Sequence, residues 1–295
     1  MSMRFEVRPT GGPLGAHVFG FPFHDFTGQD IAAMRKAWLD HQVLCFRDTN
    51  IDDDTQISFS AQLGPFVIHP RQAQEGQHGS RKEILVVSNM KRTDGTPAGD
   101  LGDGEVQWHT DAWFKDRPPS ASILRALKLP AAGGNTYFAS MYRAYETLPA
   151  ALKSAIEGRS IHHQTVIDGR GDVRMGMTRP PNDDVRTWPG VDHPVVRMHG
   201  ETGRKALYLG GSRKYQSIVG MPLDEGRALL DELWKHAGRD EFVWTQVWRP
   251  GDMVMWDNRC VMHKRDAFDA TTIRLMHRTA IEGEPPMPWR AAPAA

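Results

Sequence analysis

The sequence predicts an α+β fold with a mainly β core, a double-sheet jelly roll with helices on its outside. Three observations predict it. Short runs of β-branched and aromatic residues recur along the chain. Only three segments carry helical spacing. No internal repeat, low-complexity tract or linker divides the 295 residues, of which 40% are hydrophobic, so residues 1–295 read as a single domain with a full core.

Taken in order, Thr27-Gly28-Gln29-Asp30 reads as a helix start, and Ile31, Met34, Trp38 and Leu39 follow at helical spacing. Residues 43–47 and 84–88 read as strands, as do stretches around 121–127, 194–199, 205–209, 242–248 and 252–256. A second helix is expected from Pro149 to Glu157, with Gly158 just past its end. A third starts near Pro222 and runs towards His236, burying Leu229, Leu230, Leu233 and Trp234. Residues 168–192, full of Gly, Pro, Arg and Asp, break this rhythm. A stretch that long inside a compact domain is functional or disordered, so it reads as an active-site lid or as a surface excursion. His69 to Arg81, rich in Gln, Gly and His, reads as a second flap.

Lys and Arg number 36 and Asp and Glu number 36, with no run of like charges, so neither nucleic acid nor an anionic membrane is expected as a partner. The N-terminus carries no apolar stretch of signal-peptide length, and no segment approaches ~20 apolar residues. Cys45 and Cys260 are far apart and in no metal-ligand spacing; they read as buried packing residues in a protein of the reducing cytoplasm.

The candidate chemistry lies in two places. In Trp108-His109-Thr110-Asp111, a strand would turn His109 and Asp111 to one face, where imidazole and carboxylate can grip one cation. A third ligand must come from elsewhere, and His263 offers a second imidazole; two histidines and one carboxylate form the open-sided triad of non-haem Fe(II) oxygenases. A lone H-x-D is weak, and a surface His and Asp near a turn is the plain alternative. The rival His199-Gly200-Glu201 sits between two strand-like runs and reads as a hairpin turn. Further on, residues 271–281 read as a strand that puts Arg274, Met276 and Arg278 on one face. The two guanidiniums would then stand about 13 Å apart at ~3.3 Å per residue, which suits two organic anions side by side. A solvated strand explains the same alternation. The buried-looking run Pro250 to Asn258, leading to His263 and then to both arginines, favours a site.

These residues carry a resemblance. Pro9 to Ala16, Trp108-His109-Thr110-Asp111, Gly133-Gly134-Asn135-Thr136, Gly203 to Tyr208, Trp256-Asp257-Asn258-Arg259 and Met276-His277-Arg278 resemble, in order and spacing, the taurine dioxygenase / 2,4-dichlorophenoxyacetate dioxygenase family. The resemblance covers nearly the whole chain and implies a double-stranded β-helix, with Fe(II) as cofactor and 2-oxoglutarate and O2 as cosubstrates. It implies that His109, Asp111 and His263 hold the iron. Arg274, helped by Thr136, would bind the distal carboxylate of 2-oxoglutarate, and Arg278 and His69 would bind the acidic group of the substrate. The reaction implied is hydroxylation of a small organic acid of sulfonate, sulfate ester or aryloxyalkanoate type, releasing succinate and CO2 and often cleaving the hydroxylated product. Asp111 argues against halogenation, which needs a small residue at that position. The acidic Glu105 departs from the amide-rich run of the taurine enzymes, and the stretch from Gly226 to Cys260 is closer to the phenoxyacetate enzymes. Trp108, Trp113, Phe114 and Tyr208 line an aromatic pocket or simply pack. Relatives of this kind form homodimers or homotetramers. The competing class is a zinc hydrolase or small-molecule sensor on the same β scaffold.

Overall fold

The computed structural model describes residues 4–68, 81–169, 171–211 and 213–289. Its largest sheet has eight strands, in the order Glu6–Pro9, Ala16–Phe19, Val43–Phe46, Met253–Asp257, Ala121–Lys128, Leu275–Ile281, Leu85–Ser88 and Asp100–Leu101. A four-stranded sheet runs Val243–Gln246, Thr136–Ser140, Val261–Arg265, Val106–His109. Two three-stranded sheets complete the β structure.

Strand alternation explains how the layers form. Val43, Cys45, Leu124, Ala126, Val254 and Trp256 of the large sheet share one apolar cluster with Phe138, Val261 and Met262 of the small sheet. Their neighbours Leu44, Phe46, Ile123, Met253 and Met255 point the other way, into a second cluster with Met34, Trp38 and Phe59. The latter three belong to helices Gly28–His41 and Asp53–Ala61, which therefore cover the outer face. A central strand such as Val43–Phe46 is buried at every position because both of its faces are covered. This is the jelly-roll core with flanking helices. Among the described residues no helix is long and apolar enough to cross a membrane.

The first helix starts where expected. Thr27 accepts from the Asp30 backbone N–H while the Asp30 carboxylate accepts from Thr27, a reciprocal cap. The other two expected helices occupy Ala150–Ile156 and Leu223–Ala237. Helices Asp53–Ala61 and Met141–Glu146 were not expected; Asp52 and Ser140 cap them.

Two strand expectations are corrected. The strand through residue 109 ends there: Thr110 N–H donates to Gly210 O at 2.8 Å, and Ala112 has φ 46°, so Asp111 lies on a turn. The strand expected over 271–281 begins only at Leu275, with a bulge at Leu275/Met276. Thr271 and Thr272, β-formers by propensity, wrap onto Asp269: Thr271 N–H and Oγ donate to the carboxylate at 2.8 Å, and Thr272 Oγ to the carbonyl at 2.7 Å. In 168–192, strand Gly190–Pro194 pairs with Ser160–Gln164, and Val185 and Trp188 pack with Val166 and Ile167 in a small cluster. Of the second flap, residues 69–80 lie outside the described residues, and His69 with them.

Candidate active site

The two histidines meet across a strand pair. His263 stands directly opposite His109 in register, and their ring centroids are 4.2 Å apart. The turn after His109 brings in the carboxylate: Asp111 Oδ1 is 3.8 Å from His109 Nε2 and 3.9 Å from His263 Nε2. Bonds of about 2.1 Å at right angles put donor atoms about 3 Å apart, so this trio is within about 1 Å of closing on one ion. Chain packing requires a glycine beside it, because a Cβ on Gly211 would lie 2.9 Å from His109 Cβ.

The protonation states suit a metal. His109 Nδ1–H donates to Gln107 O at 2.8 Å, which leaves Nε2 as the lone-pair nitrogen. Burial lowers the pKa of both imidazoles, that of His263 to about 3, where the charges of His109 and Arg278 add to the effect. Burial alone would raise the Asp111 pKa, but Arg278, the two histidines and the Ser122 hydroxyl hold it well below the usual carboxylate range. Two neutral imidazoles and one carboxylate fit a ferrous ion.

Asp111 is held from the large sheet. Ser122 Oγ, on strand Ala121–Lys128, donates to Asp111 Oδ2 at 2.6 Å. Asn258 Nδ2 donates to Ser122 Oγ at 3.0 Å, and Asn258 Oδ1 accepts from Trp256 Nε1 at 3.0 Å and from Asp111 N–H at 3.3 Å. Arg278 Nη1 donates to Asp111 Oδ1 at 3.0 Å, so it shares the oxygen that faces the two imidazoles.

Arg274 is 2% exposed, and its guanidinium makes no hydrogen bond or ion pair among the described residues. Its backbone is pinned by N–H donation to Asn89 Oδ1 at 3.0 Å, and its guanidinium lies 5.9 Å from the Trp248 ring centre. Gly134, at φ +67°, passes so close that a Cβ there would be 3.2 Å from Arg274 Nε. Thr136 Oγ accepts from Trp248 Nε1 at 3.0 Å, which leaves its own O–H free to donate.

Each expected residue that is described thus falls in one region. Ser122, Asn258, Trp248 and Asn89 were not expected to have roles. Ser122 carried a signal, a polar residue inside the apolar run Ala121-Ser122-Ile123-Leu124. Of the rival His199-Gly200-Glu201, the Glu201 carboxylate is paired with Arg35 and Arg259 instead, and His199 clusters with Asp257 and Cys260. His199 Nε2–H donates to Asp257 Oδ2 at 2.9 Å, and its Nδ1 accepts the Glu201 and Thr202 N–H groups. His199 closes the expected hairpin, between strands Val196–Met198 and Lys205–Leu207.

The family profile "Taurine catabolism dioxygenase TauD, TfdA family" matches residues 6–280. The chain is 33% identical over 249 residues to an alpha-ketoglutarate-dependent 2,4-dichlorophenoxyacetate dioxygenase of Burkholderia sp. (strain RASC), covering 82% of each. It is 31% identical over 297 residues to an (S)-phenoxypropionate/alpha-ketoglutarate-dioxygenase of Delftia acidovorans, covering 97% of each. The crystal structure of AAD-2 in complex with Mn(II) and N-oxalylglycine superposes with TM-score 0.77 at 29% identity, over 97% of this chain and 100% of that one. The chain belongs to the TauD/TfdA family, and it is an Fe(II)- and 2-oxoglutarate-dependent dioxygenase.

Proposed function

We propose that His109, Asp111 and His263 hold the iron, that Arg274 and Thr136 seat the distal carboxylate of 2-oxoglutarate, and that Arg278, with His69, binds the acid group of the primary substrate. The observation that carries this reading is the sharing of Asp111 Oδ1 between the two imidazoles and Arg278. It puts a guanidinium beside the metal position. Residues 1–295 act as one catalytic domain in this reading. The substrate is a small organic acid, and the two phenoxyalkanoate-oxidising relatives favour an aryloxyalkanoate over a sulfonate or sulfate ester.

When bound, iron and 2-oxoglutarate supply the oxidising chemistry, in which O2 is consumed, succinate and CO2 leave, and a substrate C–H is hydroxylated. The chain supplies position and charge. Arg274 neutralises the far end of 2-oxoglutarate in a buried seat. Thr136 donates its free O–H to the same carboxylate. Ser122 holds Asp111 Oδ2, fixing the direction in which Oδ1 points. Arg278 fixes the substrate acid close to the iron, so that a carbon next to oxygen, nitrogen or sulfur is the one presented.

The test is succinate formation with Fe(II), ascorbate and a panel of aryloxyalkanoates, sulfonates and alkyl sulfates. Stimulation by the aryloxyalkanoates is expected, and an equal, weak response to the whole panel would remove that substrate class.

Ser122→Ala frees one carboxylate oxygen, and loss of such an outer hydrogen bond weakens metal binding about 10–100-fold. Chelator competition with Mn(II) measures it, and wild-type affinity would show that Ser122 does not orient Asp111.

Arg278→Gln has two expected effects of opposite sign. Removing the charged hydrogen bond to the substrate costs about 2 kcal/mol, roughly 30-fold in substrate affinity. Removing a cation from Asp111 Oδ1 tightens Mn(II) binding. Unchanged affinity for both ligands would refute the anchor.

We also place the protein in the cytoplasm as a homodimer or homotetramer, with neither nucleic acid nor membrane as a partner. The two free, buried cysteines and the balanced charge support this placement. Sedimentation of the purified chain tests the oligomer.

A further inference from the structure

Four arginines are buried among the described residues: Arg125, Arg197, Arg265 and Arg274. Two have partners in the protein, although the Nε of Arg265 is left unpaired. Arg125 donates to Gln56, to the Ile51 carbonyl and to Asp53. Arg265 donates to the carbonyls of Leu101, Gly102 and Gly104. Arg274 has no partner among the described residues, and the proposed function gives it an organic anion. Arg197 has the same signature and no assigned partner.

Arg197 lies on strand Val196–Met198 and is 5% exposed. Its guanidinium makes no hydrogen bond or ion pair among the described residues, and Nε is fully enclosed. The guanidinium carbon sits 5.0 Å from the centre of the Tyr208 ring. That contact offsets part of the cost of burial, and the enclosed Nε–H is left without a hydrogen-bond acceptor among the described residues. The Tyr208 hydroxyl is also buried without a geometrically formed hydrogen bond among the described residues.

The nearby carboxylate of Asp257 has no capacity left. Its Oδ1 accepts Arg259 N–H at 2.9 Å and Nε at 2.8 Å, and its Oδ2 accepts His199 Nε2 at 2.9 Å and Arg259 Nη2 at 2.8 Å. Burial lowers the Arg197 pKa, yet a guanidinium stays charged at neutral pH. Burial raises the Tyr208 phenol to about 12, so it keeps its proton. The pair therefore offers N–H and O–H donors, one phenol oxygen and a net positive charge. A buried cation left unpaired costs several kcal/mol, so the complement is an acceptor that carries negative charge.

We propose that Arg197 and the Tyr208 hydroxyl form a second anion seat, distinct from the two organic-acid seats, that takes a small inorganic monoanion such as chloride or bicarbonate. The near-complete enclosure of Arg197 favours a small ion. The seat does not depend on the reading of the metal site.

The test is thermal unfolding of the full chain in gluconate buffer at constant ionic strength, titrated separately with chloride and with bicarbonate. Wild type is expected to show a saturable rise in Tm with at least one of them, and the arm that responds identifies the ion. Arg197→Met should lose the response, Tyr208→Phe should weaken apparent affinity several-fold, and Arg274→Met should keep it. Indifference of wild type to both ions would overturn the proposal, as would a response that survives in Arg197→Met or vanishes in Arg274→Met. Should Arg197→Met fail to fold, wild-type crystals soaked in bromide give an independent answer. An anomalous peak at the guanidinium supports the seat; no peak there at full soak, together with no bicarbonate density in a parallel bicarbonate soak, overturns it.

Discussion

His109→Ala is expected to abolish iron binding and turnover while leaving the fold intact. Two donors remain after the change, and a ferrous ion held by one imidazole and one carboxylate exchanges freely with water and chelators. Among the described residues the imidazole makes a single hydrogen bond, to Gln107 O at 2.8 Å, so little else is lost. The expected loss in turnover exceeds about 1,000-fold, or roughly 4 kcal/mol. Metal content after desalting, and the weak visible band that forms when Fe(II) and 2-oxoglutarate are mixed without O2, should both disappear. A variant that retains the band and the metal would show that the ion sits elsewhere.

Arg274→Met should separate stability from function. The side chain is 2% exposed and its guanidinium is unpaired among the described residues, so a thioether of similar length removes an uncompensated buried charge. Such replacements are neutral or stabilise by about 1–4 kcal/mol, so the ligand-free variant should melt at the same temperature as wild type or higher. Binding of 2-oxoglutarate should fall by about 3 kcal/mol, roughly 100-fold, because its distal carboxylate loses a desolvated ion pair. Thermal unfolding and a 2-oxoglutarate titration read the two effects on one sample. A variant that is less stable yet binds 2-oxoglutarate normally would make Arg274 a structural cation.

The site was legible where residue type alone states the chemistry. His109, Asp111, His263 and the two late arginines stand out because few other roles use those side chains in that order. The backbone reasoning attached to them was less secure. Asp111 reaches the histidines through a turn fixed by Gly210 and Ala112, not by strand alternation. Thr271 and Thr272 have strand propensity, but Asp269 offers their N–H and hydroxyl groups a local acceptor, and the turn wins. Ser122 and Asn258 act through contacts made across 136 residues of chain, a pairing that no local pattern encodes. Arg197 is the extreme case: in Val195-Val196-Arg197-Met198 it reads as the polar side of a strand, and only the packed structure shows that both sides are covered. The fold itself was readable because the apolar runs are short, numerous and bounded by turn residues, a pattern that few architectures satisfy.

Asp111 is gripped by one sheet through Ser122 and Arg278, while the imidazoles it faces stand on the other. An ion bound among them would rivet the two layers together. Its free energy of binding would then be shared by the whole fold, as for any ligand that only the folded state can hold. Such a protein is only as durable as its iron supply: stripped of the ion, it would spend more time open and be cut sooner by proteases, so the metal would govern its lifetime as well as its turnover.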